Sequence, residues 1–164
     1  MRPLTIPDIR ESMVNATEAE VERIPMPGLH EMVWDDREYL GWRDPSAAQR
    51  GYLVYWRGER PVGLVLRSAT FPLRAGAAIC SLCNTGQPGT QVTLFSALRA
   101  GEAGRRGDSV GTYICADLSC SLLIRIAPRY YEQIGAPGEV LARKAQRLET
   151  RLDAFVSRVL ADAA

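Results

Sequence analysis

The sequence predicts an α+β fold: a small mixed α/β lobe with a β-hairpin, then a four-cysteine module, then a C-terminal helix. Three observations predict it. Tyr52-Leu53-Val54-Tyr55-Trp56-Arg57 and Val62-Gly63-Leu64-Val65-Leu66-Arg67 are rich in β-formers and flank the turn signal Gly58-Glu59-Arg60-Pro61. The cysteines, Cys80, Cys83, Cys115 and Cys120, fall in two close pairs. Leu141, Ala145, Leu148, Leu152, Phe155 and Val159 recur at helical steps, giving one apolar stripe. With 164 residues, 46% apolar and 24% charged, the composition is that of one globular domain, or of one domain with a satellite lobe.

The elements follow in order. Pro7 suits the start of a helix, and Ile9 and Met13 lie one turn apart behind it. Thr17-x-x-Glu20 has the form of a capping box ahead of Val21 and Ile24, and Pro25, Pro27 and Gly28 then stop any helix. Leu29 to Gly51 has no sustained period and reads as loop with a short helical piece, pinned by Trp34 and Trp42. Past the hairpin, Gln91-Val92-Thr93-Leu94-Phe95 alternates, and Val110-Gly111-Thr112-Tyr113-Ile114 runs into Cys115, which predicts a second strand pair. Ala97 to Ser109 is small and Gly-rich, the composition of a mobile connection. A short helix follows Cys120, with a turn at Pro128. The terminal stripe covers about two and a half heptads, short of a coiled coil, so that helix is expected to pack on its own domain. The expected units are an α/β lobe over 1–79, a cysteine module over 80–127, and a terminal helix over 128–164. The 52–67 hairpin lies outside the cysteine loops and is expected to keep packing of its own without them.

Composition excludes several functions. His30 is the one histidine, so no site needing two imidazoles exists within one chain, and beside Glu31 it reads as structural or solvent-facing. A net charge of +1 is too small to trap a polyanion by charge alone. The opening residues lack a signal-peptide core, and no window approaches a membrane span, which makes a cytoplasmic, membrane-free protein the expectation.

In a reducing compartment, two close cysteine pairs read as a metal site before they read as disulfides. Cys80-Ser81-Leu82-Cys83 is a C-x2-C turn, and Cys115 to Cys120 is C-x4-C. Asp117 is a candidate N-cap, which places Cys120 in the first turn of the helix it opens. One pair before a hairpin and the other at a hairpin–helix junction is the layout of a treble-clef zinc finger. Four thiolates fill a zinc tetrahedron and leave no position for water, so the zinc is structural and the protein is expected not to be an enzyme. Buried free thiols, an iron–sulfur cluster and a thiol redox sensor are the alternatives to zinc.

The run CSLCNTGQPGTQVTLF followed by GRRGDSVGTYICADLSCSLLIR resembles the C-terminal treble-clef domain of elongation-factor-G-binding proteins, the FusB-like fusidic-acid-resistance family. DIRESMVNATEAEVERIPMP and LGWRDPSAAQRGYLV resemble its actinobacterial branch. The resemblance implies Cys80, Cys83, Cys115 and Cys120 as zinc ligands. It also implies binding to elongation factor G and release of that factor from the ribosome. Staphylococcal members carry an N-terminal helical bundle ahead of this domain, and the sequence shows no counterpart to it.

For the partner surface, Gln91, Thr93 and Phe95 share one face of the predicted strand, so Phe95 is an aromatic among polar neighbours. Phe95, Tyr113, Arg105 and Arg106 are the candidate partner-binding residues of a monomer; packing of Phe95 and Tyr113 inside the module is the plain alternative. Tyr130-Tyr131 is a rival patch. A second function is ribosomal-RNA contact through Arg105, Arg106, Arg125 and Arg129.

Overall fold

The computed structural model describes residues 1–70, 76–126 and 136–161. Pro128, Arg129 and Tyr130-Tyr131 lie outside the described residues.

Helix α1 spans Ile6–Ser12 and α2 spans Glu18–Glu22. Both open on a complete capping box, Thr5 with Asp8 and Thr17 with Glu20, so the orphan N–H groups of these short helices are satisfied locally. The 29–51 region holds two single-turn 3-10 helices, Leu29–Glu31 and Trp34–Asp36, and then a strand, β1, over Leu40–Arg43. That strand has no alternation to announce it. Trp42 pins the region as expected, its indole N–H donating to the Pro25 carbonyl at 2.8 Å.

Strands β2 (Arg50–Arg57) and β3 (Arg60–Ser68) form the predicted hairpin. Arg57 pairs with Arg60, so the turn is only Gly58-Glu59, and Gly58 supplies a positive φ of 62° at its first position. A small ribbon follows, β4 (Ala77–Ile79) against β5 (Gly86–Pro88). Strands β6 (Val92–Leu98) and β7 (Ser109–Cys115) pair along their whole length. The connection between them is not a loose loop. It forms α3 over Gly101–Arg105, with Ala103 and Gly104 buried. The Arg99 N–H donates to the Asp108 carbonyl, and the Ala100 N–H donates to Val159 of the terminal helix, each at 2.9 Å. Helix α4 is Cys120–Leu123 and α5 is Pro137–Leu160.

The main sheet is antiparallel in the order β1-β2-β3-β6-β7. It crosses the boundary expected after residue 79, because the end of β3 pairs with β6 through Arg67–Ser96 and Ser68–Phe95. Where β3 and β6 diverge, Asn15 fills the gap: its side-chain amide donates to Val65 and Leu98 and accepts from the Val65 N–H. One sheet face packs on α5, with Leu53, Leu64, Leu66, Phe95 and Ile114 against Leu148, Leu152, Phe155 and Val159. Each such side chain contributes roughly 1.5–3 kcal/mol by leaving water. Cys80, Cys115 and Cys120 belong to the same cluster. On the other face, Leu40 and Val54 pack with Leu4 and Ile9.

Candidate metal centre

The first cysteine pair sits in the turn between β4 and β5. The Asn84 N–H donates to the Cys80 carbonyl at 2.9 Å, and the Cys80 N–H donates to Thr85 at 3.3 Å. Asn84 takes φ +56°, a left-handed conformation that asparagine tolerates better than most residues. The second pair spans the exit of β7 and the entry of α4. Ser119, not Asp117, is the N-cap residue, and Cys120 is the first helical residue. The Asp117 carboxylate instead accepts from the Ser119 N–H at 3.1 Å and from the Ser119 hydroxyl at 2.6 Å, which closes the loop ahead of the helix.

That second loop turns on Leu118, a non-glycine residue at φ +60°. Such a conformation costs on the order of 1–3 kcal/mol and persists only where its surroundings hold it. Here they do. The Leu118 side chain is buried, and its carbonyl accepts from the Tyr39 hydroxyl at 2.8 Å. The same hydroxyl oxygen accepts from the Cys120 N–H at 3.3 Å. Gly41 makes room for the loop: a Cβ there would stand 2.6 Å from the Leu118 carbonyl oxygen. Just before β1, the Glu38 N–H donates to the Ser121 hydroxyl at 3.0 Å. The Glu38 carboxylate takes a two-pronged contact from Arg125 at 3.0 and 2.9 Å. The N-terminal lobe therefore clamps the loop that carries two of the cysteines.

The four sulfurs lie within 4.8 Å of one another. Cys80 and Cys120 are 3.6 Å apart at Sγ, and Cys83 and Cys115 are 3.7 Å apart. A tetrahedral ion with Zn–S bonds of about 2.3 Å requires sulfur separations of about 3.8 Å, so the arrangement fits zinc. The Gln87 side-chain N–H points at the Cys115 sulfur from 3.2 Å, the outer contact that a thiolate ligand takes. Crowding sets the thiols against one another. Hydrogen bonding to Cys115, then to Cys80 and Cys83, together with burial, holds the Cys120 thiol far above the usual range. Cys83 is held far below it by hydrogen bonds from Cys115 and Cys120. A divalent cation bound among the sulfurs would hold all four as thiolates. The donor set is that of one structural zinc ion with its coordination complete.

The candidate partner residues do not converge. Phe95 is fully buried, on the sheet face under α5, and the Arg43 guanidinium lies 4.9 Å over its ring. It is a core residue, which corrects the surface expectation. The polar neighbours misled: Thr93 is itself buried, and Gln91 lies in a 3-10 turn before the strand. Tyr113 is exposed on the opposite face of the sheet, across from Leu94. Arg105 and Arg106 are exposed around the end of α3, and Arg105 is engaged by Glu102 at 2.6 Å. Arg125 is occupied by Glu38 and Asp36, so it does not join a basic patch. His30 is solvent-facing, with Glu31 at 3.6 Å. Sequence reasoning missed Tyr39, Glu38, Ser121 and Gln87, which position the cysteine loops. Gly41 gave no signal of this, because the strand that holds it is not announced by the sequence pattern.

Beside the centre is a groove of about 440 Å³ lined by Gln87, Gln91, Asp117, Ser119, Leu122 and Ile126. Leu122 and Ile126 are both exposed there.

The family described as FBP C-terminal treble-clef zinc-finger matches residues 8–159. No curated protein matches the sequence. Among solved structures, the fusidic acid resistance protein FusC is similar, with a TM-score of 0.53 at 19% identity. The match covers 85% of this chain and 53% of FusC, so this chain spans about half the length of that protein, and the likeness is one of fold. The family match runs from α1 to the last turn of α5 and takes in all four clustered cysteines, and on that ground the chain belongs to the FBP C-terminal treble-clef zinc-finger family, the FusB-like family.

Proposed function

We propose that the protein works by binding elongation factor G through its zinc-stapled domain, and that it promotes release of the factor from the ribosome. The observation that carries this reading is the family match over residues 8–159, together with the closed four-cysteine centre. A zinc site without an open position shapes a surface and does no Lewis-acid chemistry. FusC, whose fold is shared, is a fusidic acid resistance protein, and the resemblance extends that theme to this chain. Among the described residues no helix is long and apolar enough to cross a membrane. We read the protein as a cytoplasmic monomer without catalytic activity. The ribosomal-RNA reading loses support from Arg125 and Arg105, whose charges are already met by Glu38, Asp36 and Glu102.

The test is direct. Zinc-loaded protein mixed with elongation factor G from the same host should co-elute from a sizing column as a one-to-one complex. It should also speed the departure of the factor from ribosomes stalled by fusidic acid. Separate elution at low salt, with salt-dependent retention on ribosomal RNA, would replace this reading with the RNA one.

A further inference from the structure

Among the described residues, the main sheet has strand edges without a neighbouring strand at β1, along 60–66 of β3, and at β7. The β3 edge is closed from within the chain. The Val14 N–H donates to the Gly63 carbonyl at 3.0 Å, and the Asn15 amide both donates to and accepts from Val65. The β1 edge lies under the second cysteine loop, where Gly41 faces the Leu118 carbonyl. The β7 edge is different.

Its register shows which groups point outward. The Ala116 N–H bonds to the Gln91 carbonyl and the Arg99 N–H to the Asp108 carbonyl, bracketing the β6–β7 ladder. Val110, Thr112 and Ile114 are therefore the residues that exchange bonds with Ala97, Phe95 and Thr93. Ser109, Gly111 and Tyr113 aim their backbone groups away from the sheet. The Tyr113 carbonyl is met by the Ser81 N–H at 2.7 Å. The N–H and C=O of Ser109 and of Gly111, and the N–H of Tyr113, have no partner among the described residues, and all three residues are exposed. Proteins usually blunt such an edge with proline, a bulge or a charged side chain. The β7 register is unbroken from Ser109 to Cys115, and that stretch holds no proline and no charge.

We propose that this edge takes up an extended segment of elongation factor G as a sixth strand of the sheet. The inference rests on the reading of the protein as a binder of that factor, and it names the surface. Five backbone groups in strand register, without a partner among the described residues, ask for extended main chain, and main chain supplies the complementary donors and acceptors whatever its side chains. Tyr113, 43% exposed and level with Leu94 on the open face, offers contact to an apolar side chain of the incoming strand. A second copy of this chain fits less well. Twofold pairing about Gly111 sets Ser109 against Tyr113 of the copy and needs the carbonyl that Ser81 occupies, whereas a segment of the factor can end its ladder at the Tyr113 N–H, short of the first cysteine turn.

Amide hydrogen exchange on the zinc-loaded protein, free and bound to elongation factor G, tests this. The Gly111 and Tyr113 amides should exchange freely in the free protein and slow at least tenfold in the complex. Gly111→Pro removes one outward donor and should weaken the complex roughly tenfold, the worth of one backbone bond and its register. Gly111→Ala keeps the donor and should bind as wild type. Zinc content is the check on folding, and the wild-type exchange result stands even if the proline variant fails to fold. A complex in which both amides stay unprotected, or which Gly111→Pro forms with wild-type affinity, overturns the sixth strand and leaves the binding reading intact. Absence of any wild-type complex removes both. A symmetric dimer that itself protects these amides overturns the proposal in favour of self-pairing.

Discussion

The Tyr39 hydroxyl donates to the Leu118 carbonyl across 2.8 Å, joining the residue that precedes β1 to the turn between Cys115 and Cys120. The two lie 79 positions apart in the chain. Tyr39 is fully buried, and burial first, then the neighbouring Cys120, raises its phenol well above the ordinary tyrosine range, so it remains a donor. Through this side chain the N-terminal lobe holds the left-handed Leu118 and the backbone of Cys120.

Tyr39→Phe keeps the ring and deletes the bond. The Leu118 carbonyl and the Cys120 N–H are then left buried without their partner, a loss of about 1–3 kcal/mol. Thermal unfolding should register that loss, and a colorimetric chelator should extract zinc faster than from wild type. An unchanged extraction rate would show that Leu118 is held by packing alone.

Gly41→Ala should be costly for a steric reason. The added Cβ meets the Leu118 carbonyl oxygen at 2.6 Å and the Tyr39 ring at 2.7 Å, neither of which can swing aside. Overpacking of this kind costs about 1–3 kcal/mol. Gly86→Ala is the control, since a Cβ there meets nothing within 4 Å. Calorimetry should rank Gly41→Ala well below Gly86→Ala in melting temperature, and equal melting would contradict the account.

Phe95→Ala should unfold the protein rather than blunt a contact. Truncating a buried phenylalanine costs about 3–5 kcal/mol, a large part of the stability of one domain. Urea unfolding should show the midpoint falling sharply. A variant as stable as wild type would return Phe95 to the surface.

Alkaline pH should single out Tyr52. Burial first, and then its bond to the Asp44 carboxylate at 2.8 Å, pushes its phenol from 10.0 up to about 12. A raised acid of this kind contributes stability that is fully present below pH 10 and is lost as pH rises through about 12. The stability gap between wild type and Tyr52→Phe should therefore close across that window. A gap constant to pH 12 would mean that Tyr52 ionises with no regard to Asp44.

Much of the fold was legible because its signals were local. Thr17 and Glu20 announce a cap, the two β-rich runs announce β2 and β3, and the steps from Leu141 to Val159 announce α5. The ligand set was legible because chelation needs close pairs. What was hidden depends on distant partners. Strand β1 exists because β2 pairs with it and the cysteine loop rests on Gly41. Helix α3 is held by Val159 and Asp108, not by its Gly-rich sequence. Phe95 read as exposed because the helix that packs on its face, α5, begins about forty residues downstream and leaves no mark on the local pattern.

These ties bear on the metal most of all. The 52–67 hairpin shares its sheet with β6 and β7 and its core with Cys80, Cys115 and Cys120, so it is not expected to keep its packing alone once the zinc is gone. Structural zinc is worth about 10–16 kcal/mol in small fingers, enough to carry the whole domain. Hydrogen exchange before and after chelation of the zinc measures this directly. The account predicts that β2–β3 and β6–β7 lose protection together; full protection retained in β2–β3 while β6–β7 opens would contradict it.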